Sequence, residues 1–400
     1  MLRNANESTF ITRVVIENYK SIAHCDVRLG PLTFLVGRNG SGKSNFLDAL
    51  SFMADGLRQT LDGAVRAREN IGVISRLRSC HYQPLGVRLE FRLPDGRLGS
   101  YGFAIGGRSI GTSYALSQEE CSIWDPGAEK DRVFFQVRDG QVQSNVPAMP
   151  ATLPQHLYLV NASGIGPFQD VYRALAGMHF YHIDPARIQH TASGGEDDLL
   201  TEDGSNAAGV LLRLRRQQPV VLARILEYLQ AMVPEILDVI SVEFGGQFSL
   251  SFKQAGAMDD LPFAASQMSD GALRALGILL ALFQRAPEEA RFLSLLAMEE
   301  PETGLHRAAL AAMRDAFAEA SEIVQIVITT HSTDLLDTKD FDPDWLRVVI
   351  NEDGFTRIGP LSEATQSIVR YHLSTAGELL RSSPLRPLVT SGTSATLFNE

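Results

Sequence analysis

The sequence is poor in cysteine and contains no long apolar run. Its 3 cysteines, Cys25, Cys80 and Cys121, are scattered over 400 residues, which argues against a disulfide framework or a zinc site with paired ligands. Because no run of about eighteen apolar residues occurs, we expect no membrane span. The first residues, MLRNANESTF, lack the apolar core of a secretory signal, so we expect a cytoplasmic protein.

Positive charge is also scarce. Acidic residues outnumber basic ones by 47 to 36, which gives a net charge of −11, whereas a protein that coats DNA without sequence preference is usually basic. Two arginine-rich stretches, at 58–88 and 213–216, could form a local phosphate-binding face. A solvated helix surface is the simpler interpretation of each stretch. No sustained heptad is visible, so we expect no long coiled-coil arms.

The clearest motif is GRNGSGKS, which follows the short apolar run PLTFLVG (31–37). It fits the pattern G-x-x-x-x-G-K-[ST], in which backbone N–H groups wrap phosphates, the lysine reaches the β- and γ-phosphates and the hydroxyl binds Mg²⁺. The apolar spacing in NFLDALSFMADGL predicts a following helix, whose N-terminus favours the same negative charge. We therefore predict a nucleotide site formed by Gly37, Arg38, Asn39, Gly40, Ser41, Gly42, Lys43, Ser44 and Asn45.

Two further apolar runs end in polar residues suited to phosphate chemistry. In FLSLLAMEEPETGLH (292–306), Glu299 would hold Mg²⁺ and Glu300 would polarise the attacking water. Aspartate is commoner at the first position, and the longer glutamate makes a water-mediated Mg²⁺ contact easier. The run QIVITTHS (325–332) ends near His331, which would hydrogen-bond the γ-phosphate; a structural histidine is the alternative. Lys43, Glu300 and His331 are thus the predicted catalytic residues.

The remaining patterns predict a mixed α/β chain. Alternating runs between about 85 and 145, interrupted by Asp-Gly pairs at 95–96 and 139–140, predict an antiparallel β layer with a polar loop at 117–131. Farther along, VLLRLRRQQ and VVLARILEYLQAM predict two helices separated by a proline. ISVEFGGQFSLSFKQ predicts a hairpin, and the segment 363–381 predicts one C-terminal helix.

The motifs VVIENYKSI, LVGRNGSGKSN, MSDGALR, LLAMEEPETGLH and VITTHS occur in this order. Together they resemble the ABC-type ATPase heads of the SMC, RecF and OLD group. The resemblance implies an α/β P-loop NTPase fold with an antiparallel β layer and an inserted helical subdomain, binding ATP with Mg²⁺. On this basis 1–382 forms a single head and 383–400 a flexible tail. The parts of the head are a phosphate-loop lobe (11–175), a helical and hairpin insert (176–265), a lobe carrying the later motifs (266–360) and a C-terminal helix (361–382).

The resemblance also assigns the stretch MSDGA to the ABC signature. Ser269, Asp270 and Gly271 would then contact the γ-phosphate of ATP held by the other subunit of a homodimer, aided by the positive end of their helix. A plain helix cap made by Ser269 or Asp270 is the alternative, and both roles use the same backbone donors.

Two other assignments depend on the same resemblance. YHIDPARIQ is similar to the strand that leads into the Q-loop, which makes Gln189 the Mg²⁺-sensing glutamine, with Gln83 and Gln155 as alternatives. PETGLH resembles the loop that crosses the dimer interface, although Arg307 stands where the group often has proline. Neither coiled-coil arms nor a fused TOPRIM nuclease is expected.

The expected function is Mg-dependent ATP binding and hydrolysis that drives head-to-head dimerisation. Its output would act on DNA or on a separately encoded effector protein, in antiviral defence or DNA repair. A nucleotide-binding scaffold with little turnover is one alternative. A transporter's nucleotide-binding subunit is another, but the β layer, the S-D-G signature and the chain following the last motif disfavour it.

Overall fold

A mainly parallel six-stranded sheet lies at the centre of the fold. The computed structural model describes residues 10–78, 81–82, 84–107, 114–153, 155–191, 199–255, 262–284, 293–338, 341–382, 385–388 and 397–398. The strands of all its sheets are β1 (Ile11–Tyr19), β2 (Ile22–Arg28), β3 (Leu32–Val36), β4 (Leu77–Arg78), β5 (His81–Tyr82), β6 (Leu85–Arg92), β7 (Leu98–Gly107), β8 (Tyr114–Trp124), β9 (Val133–Arg138), β10 (Gln141–Ser144), β11 (Met178–Tyr181), β12 (Ile236–Phe244), β13 (Gln247–Gln254), β14 (Phe263–Ala264), β15 (Leu295–Glu299), β16 (Gln325–Thr330), β17 (Leu346–Glu352) and β18 (Phe355–Pro360).

The helices are interspersed among these strands along the chain. They are α1 (Lys43–Arg58), α2 (Leu61–Arg66), α3 (Ile71–Ile74), α4 (Tyr158–Ala162), α5 (Gly166–Ala176), α6 (Pro185–Gln189), α7 (Ala207–Gln217), α8 (Pro219–Met232), α9 (Asp270–Phe283), α10 (Ala309–Ser321), α11 (Glu363–Arg370) and α12 (Ala376–Ser382). No helix in the described part of the chain is long and apolar enough to cross a membrane.

The six-stranded sheet has the order β11-β15-β16-β3-β17-β18, and only its last pair is antiparallel. The neighbouring strands β15, β16 and β3 are buried on both faces and are mainly apolar, as is usual for parallel sheets covered on both sides. In β3, Leu32, Phe34 and Val36 pack into one core cluster with α7 to α10. Leu35 points to the opposite cluster, which includes α1 and the antiparallel layer. The sheet therefore separates two cores.

The antiparallel layer is a seven-stranded sheet in the order β10-β9-β8-β7-β6-β1-β2. Both predicted hairpins are confirmed, and at the second Asp139 and Gly140 have φ of 48° and 79°, the values of a type I′ turn. The loop predicted at 117–131 is wrong for its first half, because β8 continues to Trp124.

A buried acid explains this error. Glu119 lies on the core side of β8 with no exposed surface. Its carboxyl group accepts hydrogen bonds from the Tyr101 hydroxyl at 3.0 Å and from the N–H groups of Tyr158 and Leu159 at 2.5 and 2.8 Å. Burial raises the pKa of Glu119 from 4.5 to about 7, although the backbone donors act in the opposite direction. Because a polar residue occupies a core position, the hydrophobic pattern of this segment does not indicate a strand.

The segment predicted as an insert contributes to the central sheet as well. Its strand β11 pairs in parallel with β15, and the two predicted helices, α7 and α8, pack into the same core as α9 and α10. The predicted hairpin is confirmed as β12 and β13, to which β14 adds a third strand.

The C-terminal region differs from the prediction in two ways. Two helices, α11 and α12, replace the single helix, with His372 between them at φ 55°. The described residues of the predicted flexible tail contact the fold: the Leu388 N–H donates to the Pro360 carbonyl at 2.8 Å, and the Leu397 carbonyl accepts from Arg88 at 2.8 Å. These residues belong to the folded body.

Candidate nucleotide-binding site

The phosphate loop lies between β3 and α1, as the motif predicts. Its residues Arg38, Asn39 and Gly40 are exposed. Gly42 immediately precedes α1 with φ 102°, which disfavours any side chain. A Cβ on Gly37 would lie 2.1 Å from the Val349 carbonyl oxygen of β17. The glycines therefore serve both the turn of the loop and its close packing against the sheet.

Lys43 is the first residue of α1 and is 4% exposed. Its ammonium group donates to the carbonyl oxygens of Gly37 at 2.8 Å and Arg38 at 3.3 Å. Burial lowers the pKa of Lys43, while Glu300 and the neighbouring glutamates oppose this effect. A buried ammonium group that closes over the loop is well placed to contact phosphate oxygens.

A threonine that the sequence did not single out supports the loop from below. Thr356 of β18 is 1% exposed, and its hydroxyl donates to the Ser41 carbonyl at 3.0 Å. The same hydroxyl accepts from Ser21 Oγ of the β1–β2 turn at 2.7 Å, and Ser21 Oγ in turn accepts from the Asn45 amide at 2.6 Å. A Cβ on Gly42 would lie 2.0 Å from Thr356 Oγ1. Two distant segments, β18 and the β1–β2 turn, thus fix the phosphate loop.

The acidic motif reaches the same edge of the sheet. Ser44 Oγ donates to Glu299 Oε2 at 3.0 Å, although 255 positions separate the two residues in the chain. A hydroxyl beside a carboxylate is a donor set that suits Mg²⁺, which takes few protein oxygens and completes its shell with water and phosphate. Ser44 and Glu299 thus fit the predicted metal role.

Glu300, Lys43 and His331 converge in space. Glu300 Oε1 lies 3.1 Å from His331 Nδ1 and 3.8 Å from Lys43 Nζ. The backbone of Glu300 has φ 42°, and its N–H donates to the Thr329 carbonyl at 2.9 Å. Non-glycine residues in this region are strained, and such strain is concentrated at functional sites. The three predicted catalytic residues form one cluster.

A fourth residue in this cluster, Glu302, was missed by the sequence reasoning. It is 8% exposed, and its Oε1 accepts from the Thr330 hydroxyl at 2.5 Å and lies 3.9 Å from His331 Nδ1. Its Oε2 is buried and has no hydrogen-bond partner among the described residues. A third acid in EEPE was the available signal, but it was read only as part of the loop between subunits.

The signature residues lie at the N-terminus of α9, against the PETGLH loop. Ser269 caps α9 by accepting from the Ala272 N–H at 3.3 Å, and Ser269 and Asp270 are both exposed. A Cβ on Gly271 would lie 2.6 Å from the Gly304 carbonyl oxygen of the PETGLH loop. Within the described chain, no hydrogen bond or ion pair joins Ser269 or Asp270 to the phosphate loop.

Gln189 contacts the signature, and among the described residues no hydrogen bond joins its side chain to Ser44 or Glu299. Its amide donates to Asp270 Oδ1 at 3.5 Å. The residue that follows β11 is His182, which lines a small cavity together with Glu299 and Arg274. Of the alternatives, Gln155 is exposed beside α2, and Gln83 lies outside the described residues.

A phosphate loop after one central strand, acids at the end of a second and a histidine after the strand between them define a P-loop protein of the ABC-ATPase type. The chain belongs to the family described as "AAA domain, putative AbiEii toxin, Type IV TA system", which matches residues 32–337.

Curated relatives match a smaller part of the chain. The DNA replication and repair protein RecF of Vibrio cholerae is 31% identical over 106 residues, which are 25% of this chain and 29% of that protein. RecF of Magnetococcus marinus is 32% identical over 115 residues, 28% of this chain and 29% of that protein. The matched segment thus spans less than a third of these relatives.

Solved structures support the fold over most of the chain. An Smc head bound to the C-terminal winged-helix domain of ScpA has a TM-score of 0.52 at 16% identity, covering 90% of this chain and 100% of that one. An Smc head with an extended coiled coil, bound to the C-terminal domain of ScpA and derived from Pyrococcus furiosus, has a TM-score of 0.55 at 12% identity, covering 91% and 99%. The predicted P-loop fold is therefore confirmed.

Proposed function

We propose that the protein binds Mg-ATP, hydrolyses it and dimerises head to head around the nucleotide. The observation that carries the hydrolysis is the cluster at the carboxyl ends of β15 and β16, where Glu300 lies 3.1 Å from His331 and 3.8 Å from Lys43. Hydrolysis needs a base for water beside groups that stabilise the leaving phosphate oxygens, and these residue types supply both.

Each side chain has a distinct role in this mechanism. Glu300 orients the attacking water and accepts its proton, and His331 hydrogen-bonds the γ-phosphate. Lys43 leaves the carbonyl groups of the loop to contact the β- and γ-phosphates. Ser44 and Glu299 would hold Mg²⁺, which neutralises charge that develops on the phosphate oxygens.

The placement of the signature supports a second chain in the site. Ser269 and Asp270 are exposed at the N-terminus of the 14-residue helix α9, where backbone N–H groups favour an anion. Their contacts run to Ala272 and Gln189. A partner's nucleotide can therefore approach them without rearrangement of the chain. Each site would then contain the phosphate loop of one copy and the signature of the other.

We further propose that the dimer acts on DNA or on a separately encoded effector protein. RecF relatives carry a name that refers to DNA replication and repair, and the family description refers to a toxin system. DNA repair and antiviral defence are thus the proposed settings. Dimer closure would be the event that the DNA or the effector senses.

One observation favours a second candidate, an ATP-binding scaffold with low basal turnover. His331 and Lys43 both approach Oε1 of Glu300. In this arrangement they block the oxygen that would accept the proton of the attacking water. Turnover would then rise only when a partner or DNA draws these groups away.

Steady-state phosphate release tests hydrolysis directly. We expect Glu300→Gln to lower kcat at least 100-fold, the lower end of the range for a lost general base, with ATP affinity retained. Glu322→Gln, at the exposed end of α10, is the matched control and should leave kcat unchanged. Equal rates for wild type and Glu300→Gln would contradict the assigned role.

A further inference from the structure

We infer that Glu302 is a positioning residue that holds His331 in its phosphate-contacting orientation by competing with Glu300 for the imidazole Nδ1–H. The inference rests on the proposed hydrolysis and deepens it. It gives a role to a buried carboxylate that the mechanism above does not use.

Glu302 is fixed on one side and unsatisfied on the other. Its Oε1 accepts from the hydroxyl of Thr330, the last residue of β16 and the neighbour of His331. Thr330 is fully buried and its Oγ1 also accepts from the Ser332 N–H at 2.9 Å, so the end of β16 itself holds the carboxylate. Oε2 is buried without a hydrogen-bond partner in the described chain. The oxygen that approaches His331 is Oε1, which accepts from Thr330 and, as a carboxylate oxygen with two lone pairs, can accept one more hydrogen bond.

Two carboxylates are within reach of one donor. Nδ1 of His331 lies 3.1 Å from Glu300 Oε1 and 3.9 Å from Glu302 Oε1. Because one N–H makes one strong hydrogen bond, occupation of Glu300 keeps it from serving as a base. A displacement of about 1 Å brings Nδ1 to hydrogen-bond distance of Glu302. That displacement leaves Glu300 without the His331 contact, so that it can accept a proton from water. It also holds the imidazole through its Nδ1 by a hydrogen bond to Glu302.

Geometry distinguishes the mobilities of the two acids. His331 is 46% exposed at its side chain and Glu300 34%, whereas Glu302 is 7% exposed. A buried, Thr330-anchored carboxylate moves less than an exposed one, so Glu302 is the fixed acceptor and Glu300 the mobile one. Carboxylates that orient metal-ligating histidines are worth about 10- to 100-fold in affinity or activity, and we expect an effect of the same size for a histidine that is oriented toward phosphate.

The test is a double-mutant cycle on the full-length protein. Glu302→Gln preserves size and an acceptor for Thr330 but removes the charge that attracts the imidazole. We expect kcat for ATP hydrolysis to fall about 10- to 100-fold, with KM and ATP affinity within about twofold. Glu302→Gln in the His331→Gln background should cause no further fall, because Glu302 acts through His331.

Controls separate this role from a structural one. Thermal unfolding of Glu302→Gln should match that of Glu322→Gln, whose glutamate is exposed and outside the site. Fully additive effects of Glu302→Gln and His331→Gln, or an unchanged kcat for Glu302→Gln, would overturn the inference while leaving hydrolysis intact. Absence of turnover in wild type would instead overturn the proposed hydrolysis, and this inference with it.

Discussion

Replacement of Thr356 by valine tests the idea that packing beneath the phosphate loop prepares it for ATP. Valine has the shape of threonine but cannot donate to the Ser41 carbonyl or pair with Ser21 Oγ, contacts of 3.0 and 2.7 Å in the native structure. A buried acceptor left without a donor costs about 1–3 kcal/mol. We therefore expect Thr356→Val to reduce the free energy of unfolding by about 2 kcal/mol.

The same change should weaken nucleotide binding. If the substitution destabilises the ATP-binding conformation of the loop by about 1.4 kcal/mol, the Kd for ATP rises about tenfold. Thr356→Ser retains the hydroxyl and should bind ATP within about threefold of wild type. Thr338→Val, at a half-buried position that follows β16 in the chain, controls for the loss of a hydroxyl.

Two assays read the outcome. Denaturant unfolding of the nucleotide-free protein gives the stability, and titration calorimetry with a non-hydrolysable ATP analogue gives the affinity. If Thr356→Val and Thr338→Val have the same stability and the same Kd, the supporting role of Thr356 is refuted. Reduced stability with unchanged Kd would show that the contact supports the fold but not the loop.

Three further results are expected. Glu119→Gln should remove a pH dependence of the free energy of unfolding. The pKa of Glu119 is raised to about 7 in the folded protein, so the native state binds a proton that the unfolded chain has lost. Relative to the variant, the wild-type free energy of unfolding should therefore fall by about 2 kcal/mol between about pH 5.5 and pH 8.5. Gly271→Ala places a Cβ 2.6 Å from the Gly304 carbonyl oxygen, so it should impair ATP-dependent dimerisation in light scattering while thermal unfolding shows a folded chain. Lys43→Met should raise the Kd for ATP at least tenfold in calorimetry, since the buried ammonium group is the proposed contact to the β- and γ-phosphates.

Local patterns predicted the parts of the fold whose chemistry is local. The phosphate loop requires a strand, a turn and a helix in sequence, and all three are present. The Asp-Gly hairpins were equally direct, because the turn at Asp139 and Gly140 demands positive φ at both residues. The order of apolar strands ending in Glu299 and His331 was sufficient to place both at one edge of the sheet.

Interactions between distant segments were not predictable. Thr356 looks like any strand threonine, and only the fold brings it under a loop more than 300 positions away. Glu119 interrupts an otherwise recognisable strand because its acid is satisfied by donors from another element. Gln189 was placed by resemblance to one motif, and its contact with Asp270 depends on how α6 packs against α9.

The central claim is that the ATP site is completed by a second chain. Glu300→Gln protein mixed with Mg-ATP, studied by multi-angle light scattering, tests it most directly. We predict a doubling of mass that requires ATP, that Ser269→Arg abolishes and that Ser382→Arg, an exposed control on α12, leaves intact. ATP-dependent dimers that persist with Ser269→Arg, or a monomer at saturating ATP, would contradict the claim.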